Sequence, residues 1–154
     1  MSGQELTYLD ANVIIRFVEG KPEAREPIRA RLHDVQKIVT SQLSRLECRC
    51  FPIRRNDPAL LSAYDTFFDA SELALLDIDR SIIDIATQLR ATHGFKSPDA
   101  IHLATAIACQ ASCFLTGDKQ LTRCVELRVE LFKALICVAQ LRIKTAIRPG
   151  STAR

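Results

Sequence analysis

The fold is decided by the stretch Thr7-Tyr8-Leu9-Asp10-Ala11-Asn12-Val13-Ile14-Ile15, in which a short apolar run leads to an aspartate and an apolar helical pattern follows. We interpret it as a buried strand that ends at Asp10 and passes into a helix, with Asn12 as the helix cap. In open α/β sheets, ligands bind just outside the carboxyl ends of the strands. Asp10 is therefore placed for chemistry, unless it is only a turn aspartate that caps the helix, where aspartate is common.

The composition is that of one globular domain. The chain has 154 residues, of which 47% are hydrophobic and 25% charged, enough for a sizeable core. No apolar run approaches the roughly 20 residues that a membrane helix needs, and residues 1–5 show no signal-peptide pattern. We therefore expect a cytoplasmic protein without membrane contact. A net charge of +3 permits a nucleic-acid partner without requiring one.

The cysteines favour neither a zinc site nor disulfide bonds. They form no Cys-x-x-Cys motif and are accompanied by no histidine pair, and they lie within apolar helical or strand patterns. We expect all six to be reduced core residues, packed as small hydrophobes: Cys48, Cys50, Cys109, Cys113, Cys124 and Cys137.

Strands alternate with helices along the rest of the chain. Further strands are predicted at residues 37–40, 73–78, 112–116 and 128–132. Between them we predict helices at 22–34, from Ser41 to a bend or end at Pro52, from 56 through 68, at 79–93, from a Ser97 cap through 108, and at 119–124. This alternation indicates an α/β fold with a mainly parallel sheet and helices on both faces.

Residues 133–154 stand apart as a basic C-terminal extension. No acid follows Leu131, whereas several lysines and arginines do, and the apolar residues of 133–144 have no clean period. We divide the chain into a domain at 1–132 and an extension at 133–154 without assigned structure. The last six residues are expected to be a solvated, partly disordered end, with a contribution to nucleic-acid binding as the alternative.

Four acids stand at comparable places at the ends of these elements. Asp10 ends the first strand, Glu47 lies about two turns into the helix after the second, Asp99 is in the first turn of a buried helix, and Asp118 follows strand 112–116. Because the carboxyl ends of parallel strands gather at one edge, Asp10 and Asp118 should meet there and the others can reach it. The alternative is that Asp99 and Asp118 only stabilise helix N-termini, worth about 0.3–1 kcal/mol each.

Four neighbouring carboxylates imply a cation. Without a counter-charge they repel one another, and at least one would take up a proton. Ligands that are all oxygen favour Mg²⁺ or Mn²⁺ over zinc or copper. Such an ion polarises a phosphoryl oxygen and lowers the pKa of a bound water for in-line attack.

Four pieces of the sequence together match the order and spacing of a known family. They are residues 8–12 (YLDAN), 39–48 (VTSQLSRLEC), 97–104 (SPDAIHLA) and 114–121 (FLTGDKQL). They cover the chain from about residue 7 to residue 132, and they resemble the PIN domain, and within it the VapC-like toxin ribonucleases of type II toxin–antitoxin systems. The extension after Phe132 is not part of this pattern.

The resemblance implies a three-layer sandwich, with a central parallel sheet of about five strands, and a Mg²⁺- or Mn²⁺-dependent endoribonuclease. Carried over by position, the catalytic acids are Asp10, Glu47, Asp99 and Asp118. The acids closest to the metal are Asp10, Asp99 and Asp118. The polar residues that orient a metal ligand or a water are Asn12, Ser41 and Thr116.

The resemblance also implies partners. The substrate is single-stranded or loop RNA, the product carries a 5′-phosphate, and a cognate antitoxin holds the enzyme inactive by packing a helix in an apolar groove. A homodimer is expected because closed two-fold dimers are the commonest oligomers. The apolar helices around residues 60–68 and 82–89 are candidate surfaces for it.

Basic residues and histidines near the acids are ambiguous. A run of arginines surrounds Glu47 and a lysine follows Asp118; such residues form a solvated face or meet RNA phosphates, and the candidates for RNA contact are Arg45, Arg49 and Lys119. We interpret His102 as a structural histidine rather than a general base. His33 and His93, near helix ends, are interpreted as surface residues. Aromatic residues are 6% and there is no Trp, so a base-stacking platform is not indicated.

Two other functions stay open. A non-catalytic PIN-like RNA- or protein-binding module is disfavoured because all four acid positions are filled, and a heat of Mn²⁺ binding that depends on Asp118 distinguishes it from an enzyme. A phosphatase that forms an aspartyl-phosphate on Asp10 ranks last. Its chemistry usually needs a second aspartate two residues on, where this chain has Asn12.

Overall fold

The computed structural model describes residues 5–132 as a parallel five-stranded sheet between two layers of helices. The strands are β1 (Leu6–Leu9), β2 (Lys37–Ser41), β3 (Leu73–Leu76), β4 (Cys113–Thr116) and β5 (Val129–Leu131). The helices are α1 (Ala11–Glu19), α2 (Pro22–Leu32), α3 (Gln42–Arg54), α4 (Pro58–Phe68), α5 (Arg80–His93), α6 (Ser97–Ala108) and a short 3₁₀ helix (Lys119–Arg123). The predicted α/β fold is confirmed, whereas the extension 133–154 lies outside the described residues.

The strand order places a topological switch point at the centre of the sheet. The order is β3-β2-β1-β4-β5 and every neighbouring pair is parallel. From β1 the chain builds outward through β2 and β3 on one side, and then returns to add β4 and β5 on the other. Leu9 pairs with Leu115, so Asp10 and Thr116 are neighbours at the carboxyl edge, where ligands bind in such sheets.

Alternate side chains of the strands supply two separate cores. Tyr8 and Phe114 stack with their ring centroids 5.1 Å apart and pack on the α5 and α6 side, with Leu103. Leu9 and Leu115 point to the other face and pack with α1 to α4. Both faces of the sheet are covered by helices, which explains why its central strands are mostly apolar rather than alternating strictly with polar residues.

Two predicted helix caps are wrong. Asp10, not Asn12, caps α1, because its carboxylate accepts a hydrogen bond from the next backbone N–H. Lys96 occupies the cap position of α6, which makes Ser97 its first residue. Of the two outcomes predicted at Pro52, an end of the helix does not occur, since α3 continues to Arg54 with Pro52 buried inside it.

The five cysteines among residues 5–132 are free thiols, but they are not all core residues. Cys48, Cys113 and Cys124 are buried as predicted, while Cys109 is half-buried and Cys50 is exposed. Two residues beyond buried Cys48, α3 has turned so far that Cys50 faces away from the sheet. The sixth, at position 137, lies outside the described residues.

The helix faces considered for a dimer are largely used within the chain itself. The buried residues of α4 and α5 belong to the two cores: Tyr64, Phe68, Ile82, Ala86 and Leu89. Of the large apolar side chains on these two helices, Ile83 remains exposed. The interior therefore accounts for the apolar pattern that the sequence offered as an interface. Among residues 5–132, no helix has the length and apolarity needed to cross a membrane.

Candidate active site

All four predicted acids line one cavity at the carboxyl edge of the sheet. The cavity has a volume of about 290 Å³, and its walls carry Asp10, Glu47, Asp99 and Asp118. These residues come from the end of β1, from α3, from the first turn of α6 and from the loop after β4. Four distant segments thus deliver carboxylates to the switch point.

Asp10 is buried and held on both of its carboxylate oxygens. Oδ1 accepts a hydrogen bond from Ala11 N–H at 2.8 Å. Oδ2 accepts from Thr116 Oγ1 at 2.6 Å and from Asn12 Nδ2 at 3.0 Å. Burial raises the pKa of Asp10, and the nearby His102 and the Thr116 hydroxyl partly counter that rise. The carboxylate is therefore fixed in orientation before anything binds.

Thr116 and Asn12 join Asp10 to the loop that carries Asp118. The buried Thr116 Oγ1 accepts from Asp118 N–H at 3.0 Å and from Asn12 Nδ2 at 3.3 Å. Asn12 Oδ1 accepts from Gly117 N–H at 2.8 Å. Asp118 itself caps the 3₁₀ helix, since its Oδ1 accepts from Gln120 N–H at 2.8 Å. The capping role foreseen for Asp118 therefore coexists with its place in the cavity.

Ser41, predicted to orient a ligand or a water, is connected to Glu47 through Tyr8 and His102. Its Oγ is 2.9 Å from the Tyr8 hydroxyl, which is also 2.9 Å from His102 Nδ1. His102 Nε2 is 2.8 Å from Glu47 Oε2 and 3.8 Å from Asp10 Oδ1.

His102 is buried, as a structural histidine would be, but it also lies between two of the acids. Sequence reasoning set it aside. The signal that identifies it is the spacing of three residues from Asp99 on one helix, which places both on neighbouring faces.

The pKa of Asp99 shows the effect of the neighbouring acids most clearly. Burial raises its pKa, and the charges of Asp10 and Asp118 raise it further. A divalent cation relieves such repulsion, and the donors are oxygens that suit Mg²⁺ or Mn²⁺. Across residues 5–132, no three acid, histidine or cysteine side chains stand close enough together to enclose an ion. The donor set fits Mg²⁺, which keeps several of its waters and needs no closed protein cage.

Asp99→Asn is expected to stabilise the metal-free protein by about 0.5–1 kcal/mol near neutral pH, the size measured for partly exposed charge pairs. A raised pKa means that the folded state holds the proton more tightly than the unfolded chain, whose value is 3.8. Stability of the parent therefore falls as pH rises from that value through the folded pKa, and the variant escapes this loss.

Urea unfolding in EDTA, at neutral pH and again below the unfolded pKa, measures the effect. The gain should vanish at the lower pH. Asp84→Asn, an exposed carboxylate on α5, is the matched control and should change neither value. A variant that is no more stable than the parent at neutral pH contradicts the expectation.

A family comparison decides where the chain belongs. The PIN domain model matches residues 7–127. The chain belongs to the PIN domain family. The predicted family and its five-stranded sandwich are thereby confirmed, and the match spans all four acids. No curated protein matches the chain by sequence.

Solved structures similar to this PIN domain include toxins of VapBC pairs. VapBC2 from Rickettsia felis, bound to a fragment of promoter DNA, has a TM-score of 0.71 at 18% identity and covers 83% of this chain and 99% of that one. DNA-bound VapBC from Salmonella typhimurium has 0.69 at 21%, covering 80% and 96%. VapC20 from Mycobacterium tuberculosis, described as a sarcin-ricin-loop cleaving toxin, has 0.64 at 14%, covering 79% and 98%. At these identities the likeness concerns the fold.

Two further cavities adjoin the acid cavity of this PIN domain. One, of about 240 Å³, shares Asn12 and Asp118 with it and carries Arg16. The other, of about 340 Å³, shares Asp99 and Asp118 and is lined by Lys96 and Arg123, among others. We call these three cavities together the acid groove, and the two adjoining cavities its ends. The acid cavity is lined by carboxylates, and each end carries basic side chains.

Arg123 is held in place at its end of the acid groove. Its guanidinium lies 4.9 Å from the ring centre of Phe95. It donates to the backbone oxygens of His93 at 3.1 Å and of Gln120 at 3.2 Å. His93, predicted to be a surface residue, is instead half-buried beside Phe95, with its Nε2 2.8 Å from Glu126 Oε1. His33 is exposed as predicted.

The basic residues selected from the sequence lie elsewhere. Arg49 is ion-paired, with its Nε 2.8 Å from Asp65 Oδ1 on α4. Arg45 is half-buried on α3, and Lys119 is exposed at the start of the 3₁₀ helix. None of the three lines the acid groove in the part of the chain that the structure describes, and their contact with RNA stays a prediction.

The groove cations were missed because sequence reasoning searched only the neighbours of Glu47 and Asp118. A signal existed for Arg16. It lies four residues after Asn12, and therefore on the same face of α1.

Proposed function

We propose that this PIN domain is a divalent-metal-dependent endoribonuclease and the toxin of a toxin–antitoxin pair. The observation that carries the proposal is the meeting of four carboxylates, from four separate segments, in one cavity at the switch point of the sheet. The charges of Asp10 and Asp118 are close enough to Asp99 to raise its pKa. The description of the Mycobacterium tuberculosis neighbour as an RNA-cleaving toxin supports the same reaction class.

Asp10, Asp99 and Asp118 would hold the Mg²⁺ or Mn²⁺ ion, and Glu47 completes the site. When bound, the ion supplies Lewis-acid polarisation of the phosphate and a more acidic attacking water. The chain's own residues prepare this site. Thr116 fixes the Asp10 carboxylate at 2.6 Å, and the same hydroxyl accepts from the Asp118 backbone, so two of the acids are oriented through one side chain.

The substrate that suits the acid groove is a single phosphodiester strand. Carboxylates alone would repel it, so beyond what the metal ion contributes its binding energy would come from the basic side chains at the two ends. Arg16 lies at one end, and Lys96 and Arg123 lie at the other. Arginine and lysine bind phosphate oxygens strongly whatever the base. The strand would therefore be held on both sides of the acids, with its scissile phosphate over them.

The apolar surface of α3 suits a protein partner. Leu46 and Ile53, seven residues apart on one face of α3, are 64% and 54% exposed, and a cavity lined by Ile53 and Leu61 lies between α3 and α4. Exposed apolar patches of this kind mark interaction sites, and an amphipathic helix would bury them. We propose that a cognate antitoxin docks here, as the VapBC complexes among the neighbours suggest. Homodimerisation stays a prediction.

Incubation with a panel of labelled RNAs tests the proposal. In Mg²⁺ or Mn²⁺ the purified chain should cut at least one structured RNA within a loop, leaving a 5′-phosphate, and EDTA should stop the reaction. Denaturing gels and mapping of the new ends provide the measurement. Cleavage that continues undiminished in EDTA, or no cleavage of tRNA, rRNA or mRNA fragments, contradicts it.

A further inference from the structure

A line of four polar side chains runs from the interior of the sheet to the acid groove. Ser41 and Tyr8 are fully buried, His102 is 2% exposed, and the Glu47 side chain reaches the groove with 31% exposure. The successive distances are 2.9, 2.9 and 2.8 Å. The four residues come from β2, β1, α6 and α3 respectively, so the line ties four elements together at one point.

Nε2 of His102 carries the proton that it shares with Glu47, because a carboxylate can only accept. Two assignments of protons satisfy the rest of the line. If Nδ1 carries no proton, it accepts from the Tyr8 hydroxyl, and Ser41, which makes no capping bond to α3, donates to Tyr8. If Nδ1 also carries a proton, it donates to Tyr8, and Tyr8 donates to Ser41. Both assignments hold the imidazole in the same ring orientation.

Glu47 depends on such a restraint more than Asp10 or Asp118 does. Asp10 is held by three hydrogen bonds and Asp118 by its capping bond. Glu47 has a longer side chain with more rotamers, it stands on a half-exposed position, and its neighbours across the groove repel it. Among the side chains of residues 5–132, the hydrogen-bond partner of Glu47 is His102. If the imidazole turned, Glu47 would be free to swing away from Asp10.

We propose that Tyr8 and Ser41 are positioning residues that lock His102 in one ring orientation with the proton on Nε2, and that His102 thereby keeps Glu47 facing the acid groove. The expected effect on RNA cleavage rests on the proposed function, whereas the hydrogen-bonded line itself does not. Partners that orient a metal-site ligand in this way typically change activity or metal affinity by about 10–100-fold when they are removed.

Tyr8→Phe tests the inference, and Tyr64→Phe is its matched control. The chain has two tyrosines, both are buried, and each places its hydroxyl against a polar partner. Tyr64, however, donates to Glu19 on the far side of the sheet. Tyr8→Phe should lower kcat for RNA cleavage about tenfold with KM within about twofold. Tyr64→Phe should leave both unchanged, and a Tyr8→Phe variant that equals it overturns the proposal.

A second measurement does not depend on cleavage. With ¹⁵N-labelled histidine the chain gives signals from three side chains, and assignment through His102→Gln identifies the buried one. The parent should show a single form of His102 with a proton on Nε2, and both Tyr8→Phe and Ser41→Ala should shift its signals toward exchange between ring forms. A parent His102 with its proton on Nδ1 alone, or signals unmoved by both variants, overturns the proposal.

The two measurements separate the possible failures. If the parent cuts no RNA while the His102 signals respond as expected, the proposed function fails and the positioning line stands. If the parent cuts RNA and the signals do not respond, the line fails and the nuclease stands. His102→Gln adds a rescue test, because the glutamine amide can still donate from near the Nε2 position. It should retain more activity than His102→Ala if holding Glu47 is what matters.

Discussion

Asp10→Asn is expected to lower the rate of RNA cleavage by about 10³-fold or more while the protein stays folded. Asp10 lies at the centre of the acid groove, and loss of its charge removes a ligand of the proposed cation. An ion that stabilises transition-state charge contributes several kcal/mol, and each 1.36 kcal/mol is about tenfold in rate. Initial rates with the best RNA of the panel, in Mg²⁺, measure the effect.

The fold should survive this change because two effects oppose each other. An amide offers one oxygen where the carboxylate offered two, so one donor among Ala11, Asn12 and Thr116 loses a good partner, at a cost of about 1–2 kcal/mol. At the same time a buried charge disappears, one whose pKa burial had already raised. Circular dichroism and thermal unfolding should therefore stay close to the parent.

Asp77→Asn is the matched control for Asp10→Asn. Asp77 follows β3 directly, as Asp10 follows β1, but it is exposed and does not line the acid groove. It should cleave at the parental rate. If Asp10→Asn cuts RNA as fast as Asp77→Asn, the acidic site is not the catalytic one.

The double variant Arg16→Gln/Lys96→Gln is expected to bind single-stranded RNA about 100-fold more weakly. These residues lie at opposite ends of the acid groove, where they would each contact a phosphate. A hydrogen bond to a charged group is worth about 1.5 kcal/mol, and two such losses correspond to roughly 100-fold in Kd. Fluorescence anisotropy in the Asp10→Asn background, so that the strand is not cut, measures the affinity.

Salt dependence shows whether the lost contacts are ionic. Each phosphate contact contributes about 0.7 to the slope of log K against log salt for a single strand, so the double variant should lose about 1.4 from the slope. Lys21→Gln/Arg29→Gln removes the same two charges from exposed positions outside the groove. Equal losses in the two double variants would mean that net charge, not the groove, attracts the RNA.

The sequence was sufficient for the sheet and for the acids because both follow local rules. Apolar runs of strand length, each followed by a helical pattern, predict parallel strands whose carboxyl ends coincide. That rule alone brings Asp10 and Asp118 together. For Glu47 and Asp99 the positions along the chain indicated only that these acids can reach that edge, because their approach depends on how α3 and α6 pack. Their place in the same cavity is a tertiary fact that no spacing along the chain contains.

The remaining site residues were harder to predict for a physical reason. Tyr8 appears in the sequence as one more apolar strand residue, and its hydroxyl has meaning only once His102 lies across the sheet. Lys96 stands three residues before Asp99, and Arg123 ends the 3₁₀ helix that Asp118 caps, but that they share one cavity depends on how the two segments pack. Conversely Arg49 stands near Glu47 in sequence, yet packing directs it to Asp65. Two residues that are close together on one helix, such as Arg49 and Glu47, therefore need not line the same cavity.

Thr116 has one proton and two acceptor sites, and all three are occupied: by Asp10, by the backbone of Asp118 and by Asn12. The hydrogen-bonding capacity of its hydroxyl is therefore fully used. Of the other residues, only serine carries an equivalent hydroxyl and can replace it. A related domain with alanine or valine at position 116 would thus be expected to be inactive even if it kept every acid. Without that hydroxyl, Asp10 and the backbone of Asp118 lose the group that orients them.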